Sequence, residues 1–149
     1  MEQAEAAGRF RGPVIGPIGA FLKIAPGKED FAKIAEHALG GGLDRFIVTN
    51  DHDRKELQNI RSAAGCFSRD CNIFQMAQAR RYQVPSPPCE GIETVASTLS
   101  VSDELVFNCL VDNSRIDQLA LAKSKDESEE LLLGQDNNGR ESIRWDTLQ

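Results

Sequence analysis

Phe31, Ile34, Ala35, Ala38 and Leu39 recur at intervals of one, three and four residues, which predicts a helix over Lys28–Leu39 with one buried stripe. Upstream, apolar residues are punctuated by Gly12, Pro13, Gly16, Pro17 and Gly19. That punctuation predicts an entering turn and then a short strand at Ala20–Ile24, ended by Pro26 and Gly27. Gly40 stands just past the helical pattern, where a left-handed cap favours a residue without Cβ. The run "RFIVTN" is compact and β-prone and reads as a central strand. Next comes a helix carrying Leu57, Ile60 and Ala64 on one face, capped by Asp51 or Asp53 and stopped by Gly65. "CNIFQM" supplies a further strand, so strand, helix and strand make a βαβ-like lobe over roughly residues 20–79.

The stretch "RRYQVPSPPCEG" interrupts this order. Its clustered prolines cannot join a helix or an interior ladder, which makes it a loop or linker. Beyond it "IETVASTL" and "DELVFNCLVD" look helical, with Ser102 as the cap of the second. "IDQLALAK" ends a short helix and begins a strand, "KDESEELLL" reads as helical turns, and "DNNGRESIRWDTLQ" turns into a last strand. The chain stops within that strand pattern, so the second lobe is expected to be truncated. The expectation is an α+β domain of two small lobes, residues 12–79 and 92–149, joined by a linker at 80–91.

Composition adds bounds. With 149 residues, 40% hydrophobic and 27% charged, the chain suits one ordinary core or two small ones. No apolar run approaches the roughly eighteen residues that cross a bilayer, so no membrane partner is expected. The start "MEQAEAAGRFRG" lacks the apolar stretch of a secretory signal, which makes cytosol or nucleus the default. The formal charge of −6 is carried by the last third, whereas Arg45–Arg81 is locally basic. Phosphate binding requires local positive potential, so a nucleic-acid surface belongs there if anywhere, beside the alternative of an ordinary mixed-charge surface. Cys66, Cys71, Cys89 and Cys109 form no CxxC pair and have no close histidine to complete a metal site. They read as free thiols, mostly buried.

Three stretches invite a chemical reading. Gly40–Gly42 follow a helix and precede a strand, the reverse of a dinucleotide site, and face the end where carbonyls repel phosphate. They read as a helix end that lets backbone come near, with no cofactor. "PGKED" has Leu22 where a phosphate loop needs its first glycine and Glu29 where it needs a hydroxyl. The "DHD" of Asp51, His52 and Asp53 follows a strand, but adjacent side chains should diverge and neither a nucleophile nor a third ligand is marked. A small enzyme using Asp51–Asp53 is therefore the least favoured reading, and helix-capping aspartates the favoured one. Tyr82 beside Arg80 and Arg81 is the best nucleic-acid feature, because guanidinium groups grip phosphates while a ring stacks on an unpaired base. The same residue types suit a protein interface.

Taken in order, "GPIGAFLKI", "ALGGGLDRFIVTND" and "DRKELQNI" resemble the hinge of the structural-maintenance-of-chromosomes (Smc) family. "VASTLSVSDELVFNCLVDNSRIDQLALAKS" is similar to the start of that hinge's second lobe, and "VFNCLVDNSRID" most resembles the sixth eukaryotic branch, whose complex serves DNA repair. The resemblance covers about residues 12–149 and lacks the glycine-rich dimerisation segment expected after "IRWDTLQ". It implies a non-catalytic hinge at the end of a long coiled coil, in the nucleus and on chromosomes, with ATP handled by distant heads. The implied partners are an Smc5-type hinge and single- or double-stranded DNA. It also implies that Gly16, Pro17 and Gly19 place the chain where it leaves the coiled coil, and that Gly40, Gly41 and Gly42 permit tight chain packing. DNA contacts would fall nearest Lys55, Arg61, Arg80, Arg81 and Tyr82. The alternative is a protein-interaction domain without nucleic-acid binding.

Overall fold

The computed structural model describes residues 8–66, 73–84 and 92–122. It is mixed α+β and divides into two compact units, each gathered from three stretches of chain. The expected elements within 67–72, 85–91 and 123–149, including the helical turns of "KDESEELLL" and the last strand, lie outside the described residues.

The first unit draws on Met1–Leu22, Gly41–Tyr82 and Val101–Cys109. Its sheet has three strands, β1 (Val14–Ile15), β3 (Phe46–Val48) and β4 (Ile73–Gln75), in the order β1-β3-β4. The "RFIVTN" strand is central, as its continuous apolar character requires, and Ile47 and Val48 are fully buried. β1 pairs with β3 antiparallel, setting Val14 opposite Val48, while β4 pairs parallel with β3, setting Ile47 opposite Phe74. The parallel pair is joined through helix α2 (Asp51–Ala63), which completes the βαβ unit. Leu57 is the buried residue of the helix's apolar face, whereas Ala64 is exposed. The helix ends in a Schellman arrangement: the Cys66 N–H donates to the Arg61 carbonyl and the Gly65 N–H to that of Ser62, with Gly65 at φ +74°.

The expected strand at Ala20–Ile24 is shorter. Ile18–Phe21 forms a 3-10 turn, and only Leu22–Ile24 (β2) is extended. The Ala20 N–H bonds back to the Pro17 carbonyl, while the Ile18 and Gly19 N–H groups donate to the Arg45 and Leu43 carbonyls. With those partners the segment closes a turn instead of a ladder.

The second unit draws on Lys23–Gly40, Gln83–Ser100 and Leu110–Gln149. The predicted helix over Lys28–Leu39 is a 3-10 turn at Glu29–Phe31 followed by α1 (Ala32–Leu39). Ala35 and Leu39 face inward as its periodicity requires, and α1 lies against the short helix α3 (Val95–Thr98). The "IETVASTL" stretch departs from the single helix predicted for it. Glu93–Thr94 (β5) and Leu99–Val101 (β6) are strands on either side of α3. Two local forces account for this. Thr94 and Ser97 form a reciprocal capping box that starts the helix, and the alternation of buried Leu99, exposed Ser100 and buried Val101 has the two-residue period of a strand. β5 pairs antiparallel with β7 (Ala120–Leu121), β2 pairs with β6, and Lys28 forms an ion pair with Glu93.

Helix α4 (Glu104–Ser114) runs through the apolar "LVFNCL" stretch and is buried along most of its first half. Its cap is Asp103 and not Ser102. The Asp103 carboxylate accepts from the Leu105 and Val106 N–H groups, whereas the Ser102 N–H and hydroxyl both donate to the Phe21 carbonyl.

Candidate functional site

The start of α2 is the most elaborate polar arrangement in the first unit. Asn50, not Asp51 or Asp53, is the N-cap: its side-chain oxygen accepts from the Asp53 N–H at 2.9 Å. Asp53 is completely buried and returns the bond, accepting from Asn50 Nδ2 at 2.7 Å. Its two oxygens also accept from the Arg11 N–H at 2.9 Å and the Gly12 N–H at 2.8 Å, and His52 Nδ1 lies 3.1 Å away. Burial alone would raise the Asp53 pKa. The Arg11 N–H, His52, Asn50 and Gly12 N–H outweigh it and hold the carboxyl at about 2. The neighbouring side chains of His52 and Asp53 therefore meet instead of diverging, because Asp53 turns inward at the first helical turn. Asp51 points outward to Arg54 and Lys55, at 2.6 and 2.8 Å, and these bonds lower its pKa. A carboxylate whose oxygens are already filled by main-chain and side-chain donors is a structural anchor, not an available base. Among the described residues no group of three or more His, Cys, Asp or Glu is placed to hold a metal. Cys66 is an exposed thiol and Cys109 a buried one, while Cys71 and Cys89 lie outside the described residues.

The glycines divide into two kinds. Gly16 has φ +148°, and a Cβ there would lie 2.5 Å from the Phe46 ring and 2.9 Å from the Arg45 carbonyl oxygen. This is a true close approach, with Pro17 following it and Gly19 nearer ordinary contact distances from Leu43. Gly40 has φ +50° and ψ −139°, and its N–H closes onto the Glu36 carbonyl. It ends the helix with positive φ as expected, although its ψ is not that of a left-handed cap. Added Cβ atoms at Gly40, Gly41 and Gly42 would meet nothing within 4 Å. The close chain packing expected at the triplet is thus not made within the described residues; Gly16 makes it instead.

The expected cationic residues occupy different settings. Lys55 is exposed and shares Asp51 with Arg54. Arg61 lies in the last turn of α2. Arg80, Arg81 and Tyr82 sit together on a segment that is neither helix nor strand but is held firmly. Asn108, fully buried in α4, donates from Nδ2 to the Arg80 carbonyl at 2.8 Å and accepts from the Tyr82 N–H at 2.8 Å. The carboxamide replaces one rung of a β-ladder. The Arg81 guanidinium lies over the Phe107 ring, 3.7 Å from its centroid, and donates to the Val101 carbonyl. Arg80 is exposed, and Tyr82 is 39% exposed, the large hydrophobic side chain that stands out at the surface among the described residues. Pattern reading missed Asn108. Its signal was a lone amide inside an apolar helical run, where an unpaired amide would be costly.

The chain is 31% identical over 130 residues to structural maintenance of chromosomes protein 6B of Arabidopsis thaliana, covering 85% of this chain. It is 25% identical over 133 residues to the corresponding protein 6 of Saccharomyces cerevisiae, covering 83%. Its fold superposes on the crystal structure of the Schizosaccharomyces pombe Smc5/6 hinge domain with a TM-score of 0.71 and 22% identity, covering 83% of this chain and 45% of that one. The chain is an Smc6-like hinge domain. It spans 12% of the length of the Arabidopsis relative and 11% of the yeast one. No protein-family model matches it. An Smc6-like hinge is a non-catalytic domain, in keeping with the occupied carboxylate of Asp53 at the start of α2.

Proposed function

We propose that this hinge joins its subunit to a partner Smc subunit of the Smc5 type and contributes to DNA contact during repair and recombination, on chromosomes in the nucleus. The observation that carries the reading is the agreement between a 130-residue likeness to an Smc6 protein and the fold of a hinge described as Smc5/6. Gly16, Pro17 and Gly19 then set the chain's path into the hinge, and the exposed Gly40 and Gly41, followed by the buried Gly42, leave room where a partner backbone can come near. Lys55, Arg61, Arg80, Arg81 and Tyr82 are the DNA-facing candidates.

Mixing the chain with an Smc5-type hinge should give a defined larger species in size-exclusion chromatography with light scattering. Separate peaks at micromolar concentrations count against the pairing. A protein-interaction domain that does not touch nucleic acid is the second reading. It is favoured by the use of Lys55 on Asp51 and of Arg81 on Phe107, which commits two of the candidate cations within the chain. Pairing without any affinity for DNA would decide for it.

A further inference from the structure

We propose that the cavity beside the start of α4 is a docking pocket for an arginine side chain carried by a protein partner. The cavity measures about 370 Å³ and is lined wholly by residues of the first unit. Small-ligand sites run from about 300 to 1,000 Å³, so this one suits a single side chain better than a large ligand. Pro13, Ile15, Ala79 and Leu105 give it apolar walls, and Asp103 and Glu104 line it with carboxylates. Pro13, Ala79 and Glu104 are exposed, so the space is reachable from outside. Its charge is unbalanced. Glu104 forms no ion pair among the described residues, and Asp103 takes both capping bonds on Oδ1, which leaves Oδ2 without one. The positive end of the 11-residue helix offsets only about half a charge, so two carboxylates leave the cavity negative. The arginines that follow Ala79 do not neutralise it: Arg81 lies on Phe107 and Val101, and Arg80 forms no ion pair among the described residues. That sign turns phosphate away and draws a cation. Apolar walls with acidic groups beside them fit a basic side chain, which buries its aliphatic stem and keeps its charged end in water. Arginine suits the pair better than lysine, because its planar, weakly hydrated guanidinium offers several donors at once. An exposed ion pair holds little by itself, so the side chain must belong to a longer protein contact that supplies the remaining affinity. This inference does not rest on the nucleic-acid or partner-hinge readings above.

The test is an amide NMR titration of the isotope-labelled chain with three acetylated, amidated tripeptides that carry arginine, lysine or norleucine between two alanines. The arginine peptide should shift the amides of Ile15, Glu104 and Leu105 saturably, and added salt should weaken its binding. The norleucine peptide has an aliphatic stem without the charge and should not saturate over the same range. Glu104→Gln should weaken the arginine peptide about two- to fivefold, the order for one exposed ion pair. Ala79→Trp fills the cavity and should remove the saturable shifts. Glu104 and Ala79 are both exposed, so these variants probe the pocket without disturbing the core. No saturable shift with the arginine peptide overturns the inference. So does equal binding of the arginine and norleucine peptides, or of the arginine peptide to wild type and Glu104→Gln, because charge then plays no part. Equal binding of the arginine and lysine peptides overturns the choice of arginine. Spermidine that shifts the same amides at lower concentration than the arginine peptide makes this a polyamine site and overturns the protein partner. An oligothymidylate that shifts them overturns the preference for a cation.

Discussion

Replacing Asp53 by alanine isolates the anchor at the start of α2. The substitution leaves the Arg11 N–H, the Gly12 N–H and Asn50 Nδ2 without their acceptor. A buried donor left unpaired costs about 1–3 kcal/mol. Arg11 is exposed and Gly12 only half-buried, so water can reach this stretch of backbone and each loss should fall near the lower end. Removing a negative charge from the first turn of a 13-residue helix costs about 0.3–1 kcal/mol more. The total is about 3–4 kcal/mol, which for a chain of this size lowers the melting temperature by about 6–16 °C. Thermal unfolding measures the sum, and hydrogen exchange at Arg11 and Gly12 measures the local part. The alanine variant should melt early and its two amides should exchange much faster. A melting temperature within about 2 °C of wild type, with both amides still protected, would refute the anchoring role.

The remaining expectations follow from the same geometry. Asp53 has its carboxyl held at about 2, below its ordinary 3.8, so its contribution to stability is full above pH 4 and is lost as the pH falls toward 2. Acid unfolding should therefore flatten over that window in Asp53→Asn, and an unaltered acid limb would contradict the assignment. Gly16→Ala forces a Cβ against the Arg45 carbonyl at positive φ and should destabilise by about 2–4 kcal/mol in urea unfolding, whereas Gly41→Ala meets open space and should cost far less. Lys55→Ala removes an exposed pair and should leave the urea midpoint essentially unchanged; a clear shift would mean that Lys55 holds more than Asp51.

Periodicity within ten or fifteen residues was enough to read the central β3 strand, the α2 helix and the parallel strand after it. Each of these is decided by its own apolar pattern. The boundaries that differed were decided by paired local hydrogen bonds. Asp103 outcompeted Ser102 for the cap because its carboxylate reaches two N–H groups at once, and the Thr94–Ser97 box cut a longer helical pattern to four residues. Contacts between distant positions left almost no local trace. Asp53 lies 41 residues from Gly12, and Asn108 lies 26 from Tyr82, so neither pairing has a spacing to betray it. The family likeness came from the order of several modest motifs, while the roles of the individual arginines emerged only when Phe107 and Val101 were seen beside Arg81.

The grip of Asn108 has a consequence for how this surface can change. Its hydrogen bonds to this segment go to main-chain atoms, so they do not depend on the identity of the side chains at 80 and 82. Mutation can rewrite the outward message of the segment while its inward attachment stays intact. An engineer wishing to display a different pair of residues at this spot would find the mounting already in place.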